Sequence, residues 1–164
     1  MKAKNRSPYY ADFRRLADVV AAIQAMGAYG KASLDIADWS KRIGEPTSTH
    51  SWAEVFKQHP EFFRVGTNPD TKHEYALLRW RHAYDHTYDP EKERELSIWE
   101  RGQLPVDEKR HLTAKPLLSD QIGVLINTAI ELHVRALAHE QENRWLTPLL
   151  FGLLGVVLGA VLKL

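Results

Sequence analysis

The stretch Pro60–Trp80, PEFFRVGTNPDTKHEYALLRW, contains two short apolar segments separated by a polar loop. Phe62–Val65 and Tyr75–Trp80 are rich in aromatic and large aliphatic side chains, which favours strands. The loop Gly66–Glu74 combines glycine, asparagine and proline, and these residues are typical of turns. The stretch therefore predicts two strands joined by a turn-rich loop.

Three helices are predicted upstream, because apolar side chains recur there at steps of three and four residues. The first begins at Pro8 and ends near Gly27. A second follows the short extended segment Lys31–Ser33, and a third follows the cap candidates in Thr47–Ser51 and ends at Pro60. Their expected core faces are Phe13, Leu16, Val20 and Ile23 in the first helix, Ile36, Trp39 and Ile43 in the second, and Trp52, Val55 and Phe56 in the third.

The order helix, strand, helix, helix, strand, loop, strand over residues 8–80 resembles the winged helix-turn-helix superfamily. In His59–Val65 an aromatic-rich segment leaves the third helix and enters the hairpin, as in small winged helices. The resemblance implies a winged-helix-like domain in residues 1–84, within a mainly α fold. It also implies that the third helix and the wing make the contacts, since in the superfamily that helix usually enters the DNA major groove. The positions implied for nucleic acid or a partner protein are Ser48, Thr49, Ser51, Lys57, Asn68, Lys72 and His73.

The charge pattern leaves the choice between nucleic acid and protein open. Residues 1–81 carry 13 lysines and arginines against 9 aspartates and glutamates, a mild net charge of +4. The predicted third helix, Thr47–His59, contains one lysine, Lys57, and one glutamate, Glu54. Nucleic-acid readers place several basic residues there, because neutralising phosphates supplies most of the affinity. A partner protein or a small signal is therefore the alternative ligand.

Residues 85–115 are predicted to form a charged connector that contains one short helix. The acidic cap at Asp89, followed by proline and glutamate, predicts a helix that runs to about Arg101. Leu96 and Trp99 are its expected apolar contacts. The remainder of the connector is predicted to be a linker.

Residues 116–145 give the longest helical signal, a long amphipathic helix with a heptad seam. Its apolar face must be covered, either by the winged-helix-like domain or by copies of the same helix. We expect copies, and hence a homo-oligomer. The seam residues, spaced alternately by four and three, are Leu118, Ile122, Leu125, Ala129, Leu132 and Ala136.

Residues 146–164 are predicted to be a single C-terminal transmembrane helix. From Leu146 to Leu162 there are 17 residues without a charge. As a helix they would span about 25 Å, the short end of what crosses a bilayer. The sequence thus predicts a tail-anchored, single-pass membrane protein with its N-terminal domain in the cytosol. Close packing of spans is expected along a ridge of small residues, formed by Gly152, Gly155 and Gly159.

No catalytic or metal-binding constellation is recognisable. The absence of cysteine excludes disulfides, thiol catalysis and cysteine-based zinc sites. His82 and His86 are one helical turn apart, but nothing places a third metal ligand beside them. The motifs of serine hydrolases, phosphate-binding loops and dinucleotide-binding folds are also missing. We therefore expect neither enzymatic activity nor a cofactor.

Two hypotheses about function follow from this organisation. In the first, a non-enzymatic tail-anchored protein binds nucleic acid or a partner protein at the membrane through its winged-helix-like domain. In the alternative, the chain is an oligomerising membrane effector of the prokaryotic defence or toxin type. Its N-terminal domain would then sense a ligand or partner, and its assembled spans would perturb the bilayer.

Overall fold

A computed structural model of the chain describes residues 7–82 and 87–139. This part is an α+β fold, mainly helical, with a small antiparallel sheet. The helices are α1 (Pro8–Ala11), α2 (Arg15–Ala28), α3 (Ile36–Ile43), α4 (Trp52–Gln58), α5 (Arg79–His82), α6 (Ile98–Gln103) and α7 (Val106–Lys109). An eighth helix, α8, begins at residue 119 and continues to residue 139, the last of the described residues. The strands are β1 (Ser33–Asp35), β2 (Phe63–Thr67), β3 (Glu74–Leu78), β4 (Tyr88–Asp89) and β5 (Arg94–Glu95).

The predicted hairpin forms the larger part of a three-stranded sheet. Its strand order is β1-β3-β2, and both pairings are antiparallel, with Phe63 opposite Leu78. The second strand ends earlier than predicted, because Arg79 and Trp80 belong to α5. The amide of Arg79 donates to the carbonyl of Phe62 at 2.8 Å, which closes the ladder before the chain turns into that helix.

The core lies between α2, α3, α4 and the sheet. The indole of Trp39 is fully buried and donates to the carbonyl of Ala76 at 2.9 Å, which fastens α3 to the central strand. Burying a large apolar side chain contributes roughly 1.5–3 kcal/mol. The side chains with no more than 2% exposure include Val19, Ile23, Met26, Trp52, Val55, Phe56, Phe63 and Leu78. The predicted core faces of the second and third helices are therefore confirmed at Trp39, Trp52, Val55 and Phe56.

The first predicted helix is broken, and one of its expected core residues was assigned wrongly. α1 ends at Ala11, and the carboxylate of Asp12 accepts hydrogen bonds from the amide and the guanidinium of Arg14. After these local hydrogen bonds a new helix, α2, begins at Arg15. Phe13 lies in the interruption between the two helices and is 85% exposed. At its other end α2 continues through Gly27 to Ala28.

The connector also differs from its prediction at Asp89. This residue lies in a small β4–β5 hairpin, because its carboxylate accepts the amides of Glu91 and Lys92 and so stabilises a turn. The helix begins later, at a capping box in which Ser97 and Glu100 exchange hydrogen bonds. Leu96 is buried as expected, whereas Trp99 is 74% exposed and does not belong to the core that the described residues form.

The same chain covers the middle of the seam on α8. Leu125 and Ala129 are buried in the main core, and Ile122, Leu132 and Ala136 pack against it. The end of α2 approaches closely, since the amide of Leu117 donates to the carbonyl of Gly27 at 2.9 Å. Leu118, the first predicted seam residue, precedes the helix and is 64% exposed.

Among the described residues, no helix is long and apolar enough to cross a membrane. The predicted anchor at residues 146–164, with Gly152, Gly155 and Gly159, lies outside the described part of the chain, and so does the end of the predicted amphipathic helix.

Candidate functional site

The predicted contact surface is built from the segment before α4, from α4 itself and from the β2–β3 loop. Ser51 occupies the N-cap of α4 and is exposed. The hydroxyl of Thr49 donates to the carbonyl of Ser51 at 3.0 Å, so it shapes the entry into the helix.

Ser48 belongs to an internal network rather than to an open surface. Its hydroxyl donates to the carboxylate of Asp18 and accepts the Nε–H of Arg15 at 2.8 Å. Asp18 also accepts the amides of Ser48 and Thr47, at 2.8 Å and 2.9 Å, and the Thr47 hydroxyl. Arg15 continues the network to the side chain of Gln58 at the end of α4. Ser48 is therefore half-buried rather than fully exposed, because Asp18, 30 residues earlier in the chain, fixes it, and its role in binding stays a prediction.

The hydrogen bonds of this network shift the pKa of Asp18. Burial alone would raise the pKa, but the hydrogen bonds from Ser48 and Thr47 outweigh burial and lower it below its ordinary value. The charged carboxylate is therefore the form that the fold stabilises.

We expect Asp18→Ala to lower the free energy of unfolding by about 2 kcal/mol, because it removes a charged acceptor and leaves the partly buried donors of Thr47 and Ser48 unpaired. Since the pKa is depressed in the folded state, this contribution is present above pH 5 and is lost as the pH falls below about 4. Urea titrations of the wild type and the variant from pH 3 to pH 7 measure it. A gap that stays constant down to pH 3 would contradict the assignment.

Two ion pairs use the charges that the resemblance assigned to binding. The ammonium group of Lys57 lies 2.7 Å from the carboxylate of Glu74, so the lysine of α4 is tied to β3. The imidazole of His73 lies 3.3 Å from the carboxylate of Asp35, at the end of β1. Both pairs are exposed, so each contributes little stability, but each lowers the positive charge of this face.

The β2–β3 loop, which corresponds to the wing, is a turn that the side chain of Asn68 stabilises. Its side-chain oxygen accepts the amides of Asp70 and Thr71, at 2.9 Å and 3.3 Å. The next residue along, Lys72, has a φ of 60° and an exposed side chain. The seven predicted residues are thus not assembled into a basic surface. Ser51, Lys57, Lys72 and His73 keep exposed side chains, but Lys57 and His73 are each paired with a carboxylate. The side chains of Ser48, Thr49 and Asn68 are engaged in the Asp18 network or in local hydrogen bonds.

Sequence reasoning missed a polar cluster where α1, the chain after α4, and α8 meet. Fully buried His59 lies 2.9 Å from the carboxylate of Glu61 through its Nδ1, and the ring of Tyr9 lies 4.5 Å from its ring. The ring of His133, on α8, lies 5.4 Å from that of Tyr9. Burial and the nearby charge of Glu61 raise the pKa of the tyrosine. No sequence signal joins positions so far apart.

The described side chains of the cluster are not placed as the ligands of a metal centre. Within residues 7–82 and 87–139, no group of three histidines, aspartates or glutamates is placed to hold a metal ion. The buried atoms Tyr9 Oη, His59 Nε2 and His133 Nδ1 have no hydrogen-bond partner in this part of the chain. The polar groups at the contact between α8 and the N-terminal elements are therefore only partly hydrogen-bonded within the described residues.

A cleft of about 560 Å³ lies between the residues that follow α2 and those that precede α8. Lys31, Arg110 and His111 line it together with Glu91, so its charge is mixed. The amide of Ala32 donates to the hydroxyl of Thr113 at 2.8 Å and so joins the two walls of the cleft.

Comparison with known proteins finds no matching family model, no matching curated protein and no matching solved structure.

Proposed function

We propose that the chain is a non-enzymatic, tail-anchored membrane protein whose N-terminal domain works in the cytosol as a winged-helix-like binding module. Two features support the proposal. The elements from α2 to β3 follow the order that the resemblance implies. The third helix of that order is α4, and it packs against β2 of the hairpin. The uncharged stretch from Leu146 to Leu162 has the length and composition of a membrane span.

A partner protein is the better-supported ligand, and the observation that carries this choice is the state of α4. Its one lysine, Lys57, is paired with Glu74, and the predicted contact residue Ser48 is bound to Asp18. A nucleic-acid interface needs uncompensated cations to release counterions from phosphates. Nucleic acid is therefore the weaker alternative for this domain.

We expect the full chain to sediment with membranes and to resist alkaline carbonate extraction. A version truncated after Asn143 should be released into the soluble fraction, because it lacks the apolar stretch. Titrating the truncated version with duplex DNA and with RNA at two salt concentrations tests the ligand. Affinity that falls at least tenfold between 50 mM and 200 mM salt would favour nucleic acid, whereas weak binding without such dependence favours a partner protein. A full chain that carbonate extracts would contradict the anchor.

The second candidate, an oligomerising membrane effector, is favoured by the packing of α8. Its seam is held by the core of the same chain, which is the arrangement expected of a helix that a trigger releases. In a bacterial host, the effector hypothesis expects the full chain to depolarise the membrane and the truncated chain to leave it intact. Replacing Gly155 and Gly159 by leucine should abolish depolarisation, whereas a passive tether would tolerate both changes.

A further inference from the structure

α8 has a second apolar face that the described part of the chain leaves uncovered. Ile130, Val134 and Leu137 are 42%, 57% and 36% exposed. With Gly123 and Asn127 they continue the spacing of four, three, four and three residues that defines a heptad. We call these five residues the outer seam.

The outer seam is separate from the face that packs on the core. At about 100° per residue, its centre lies about 140° around the helix from the centre of the covered seam. Leu125 and Ala129, in the covered seam, are buried in the core, while Asn127 is exposed on the outer seam. α8 can therefore remain docked on its own domain and still contact another helix.

The residue types of the outer seam fit a second copy of the same helix. In heptad notation Asn127 and Val134 occupy a positions, and Gly123, Ile130 and Leu137 occupy d positions. Val134 and Leu137 match the β-branched a and leucine d residues of parallel two-stranded coils, and an asparagine at one a position specifies register and oligomer state. Among the described residues, none would lie within 4 Å of a Cβ placed on Gly123, so they leave this end of the seam open to an approaching helix.

We propose that the outer seam is the interface of a parallel homodimer of this chain. The inference rests on the proposed anchor, because anchors at both C-termini direct the two α8 helices the same way. It differs from the predicted oligomerisation through Leu125 and Ala129, which the N-terminal domain covers. The outer seam spans about two heptads, which is short of the 1,200–2,000 Å² that a stable soluble interface usually buries. Confinement to one membrane raises the effective concentration and compensates for this small area.

The test uses the full chain in membranes, and the absence of cysteine from the sequence makes it direct. Single cysteines are placed at Val134 and Leu137 on the outer seam, and disulfide formation with a mild oxidant is followed on non-reducing gels. Matched controls are Thr128→Cys and Arg135→Cys, which lie on α8 and are exposed but off the seam. We expect seam cysteines to cross-link at least fivefold faster than the controls. Similar rates at all four positions, or no cross-linking, would overturn the proposal.

A second pair of variants separates the outer seam from the covered one. Ala129→Cys is expected to remain uncross-linked, because Ala129 stays buried in its own domain. Asn127→Leu is expected to give species larger than a dimer when the membranes are treated with an amine-reactive cross-linker, because the residue that sets oligomer state is gone and a single cysteine per chain could join only two chains. Cross-linking at Ala129 that exceeds cross-linking at Val134 would assign oligomerisation to the covered seam instead.

Carbonate extraction of the same samples distinguishes failure of the dimer from failure of the anchor. If the chain resists extraction and the seam cysteines do not cross-link, the dimer is wrong and the anchor stands. If the chain is extracted, the anchor is wrong, and the cross-linking pattern is then scored on the soluble full chain at high concentration. There, too, a rate at the seam no higher than at the controls overturns the dimer.

Discussion

Replacing Arg81 by methionine is expected to lower the free energy of unfolding by about 3–5 kcal/mol. The guanidinium group is fully buried, and within residues 7–82 and 87–139 it forms no ion pair with a carboxylate. It donates instead to six backbone carbonyls, which belong to Met26, Tyr29, Gly30, Lys31, Ala114 and Lys115. Burial lowers the pKa of Arg81 to about 10, which still leaves it charged at neutral pH.

The loss is large because methionine fills the volume but provides no donors. The carbonyls in the last turn of α2 and just after it, and those before α8, would lose their common partner, and a buried polar group without one costs roughly 1–3 kcal/mol. The positive charge near the C-terminal end of α2 also favours the helix dipole, and this contribution disappears too. Arg81 therefore joins the N-terminal domain to the segment that leads into α8.

Urea unfolding of the full chain in detergent, followed by tryptophan fluorescence, measures the effect as a lower midpoint with an unchanged slope. The matched control is Arg79→Met in the same short helix, since Arg79 is exposed and its guanidinium donates to a single carbonyl, that of Phe63, within the described part of the chain. That control should change stability by less than about 1 kcal/mol. Equal midpoints for the two variants would show that Arg81 does not hold these segments together.

The sequence predicted the elements of the N-terminal half because their signals are local. Apolar side chains at helical spacing located the cores of α3 and α4, and the flanking polar loop located the hairpin. Trp39 and Phe56 were assigned to the core from their spacing alone, and both are buried. Such residues are predictable, since burial of large apolar surface is the dominant favourable contribution to folding.

The polar residues were predicted less well because their roles depend on distant partners. Arg81 belongs to the excess of basic residues in the N-terminal half and carries no sign in the sequence of a buried position. Ser48 was assigned to an open surface, yet Asp18 holds it. Asp89 was assigned to a helix because an acidic residue before proline favours a helix start and a turn alike, and in this fold its carboxylate stabilises the turn.

The covered seam on α8 shows the same limit for apolar residues. A heptad spacing indicates that a face must be buried, but it does not say whether the same chain or a copy buries it. The structure shows that the same chain buries this face, since Leu125 and Ala129 belong to its core. At Gly27 the backbone of α2 comes so close that the Gly27 carbonyl accepts a hydrogen bond from the amide of Leu117.

We expect Gly27→Phe to release α8 from the core without unfolding the sheet. A Cβ at this position would lie 2.9 Å from Cγ1 and 3.1 Å from Cδ1 of Ile122, and 3.7 Å from Cδ1 of Leu117. Alanine would need only a small shift of the isoleucine, but a phenyl ring occupies the space through which α8 docks. The partly satisfied contact between His133 and Tyr9 is expected to offer little resistance to this release.

Hydrogen exchange of the full chain in detergent measures the release region by region. Amides of residues 119–139 should exchange about 100-fold faster in Gly27→Phe, equivalent to about 2.7 kcal/mol, while β2 and β3 keep their protection. Gly102→Phe is the control, because the same ring is introduced where no atom of the described part of the chain lies within 4 Å of a Cβ. Faster exchange throughout the fold would mean that Gly27 supports the whole domain.

Selective exchange in α8 would instead provide a released form of the chain, and its effect on bacterial membrane potential then separates the two proposed functions. A tethered binding module should stay harmless in this form, whereas an effector held in check by its own domain should become active without its trigger.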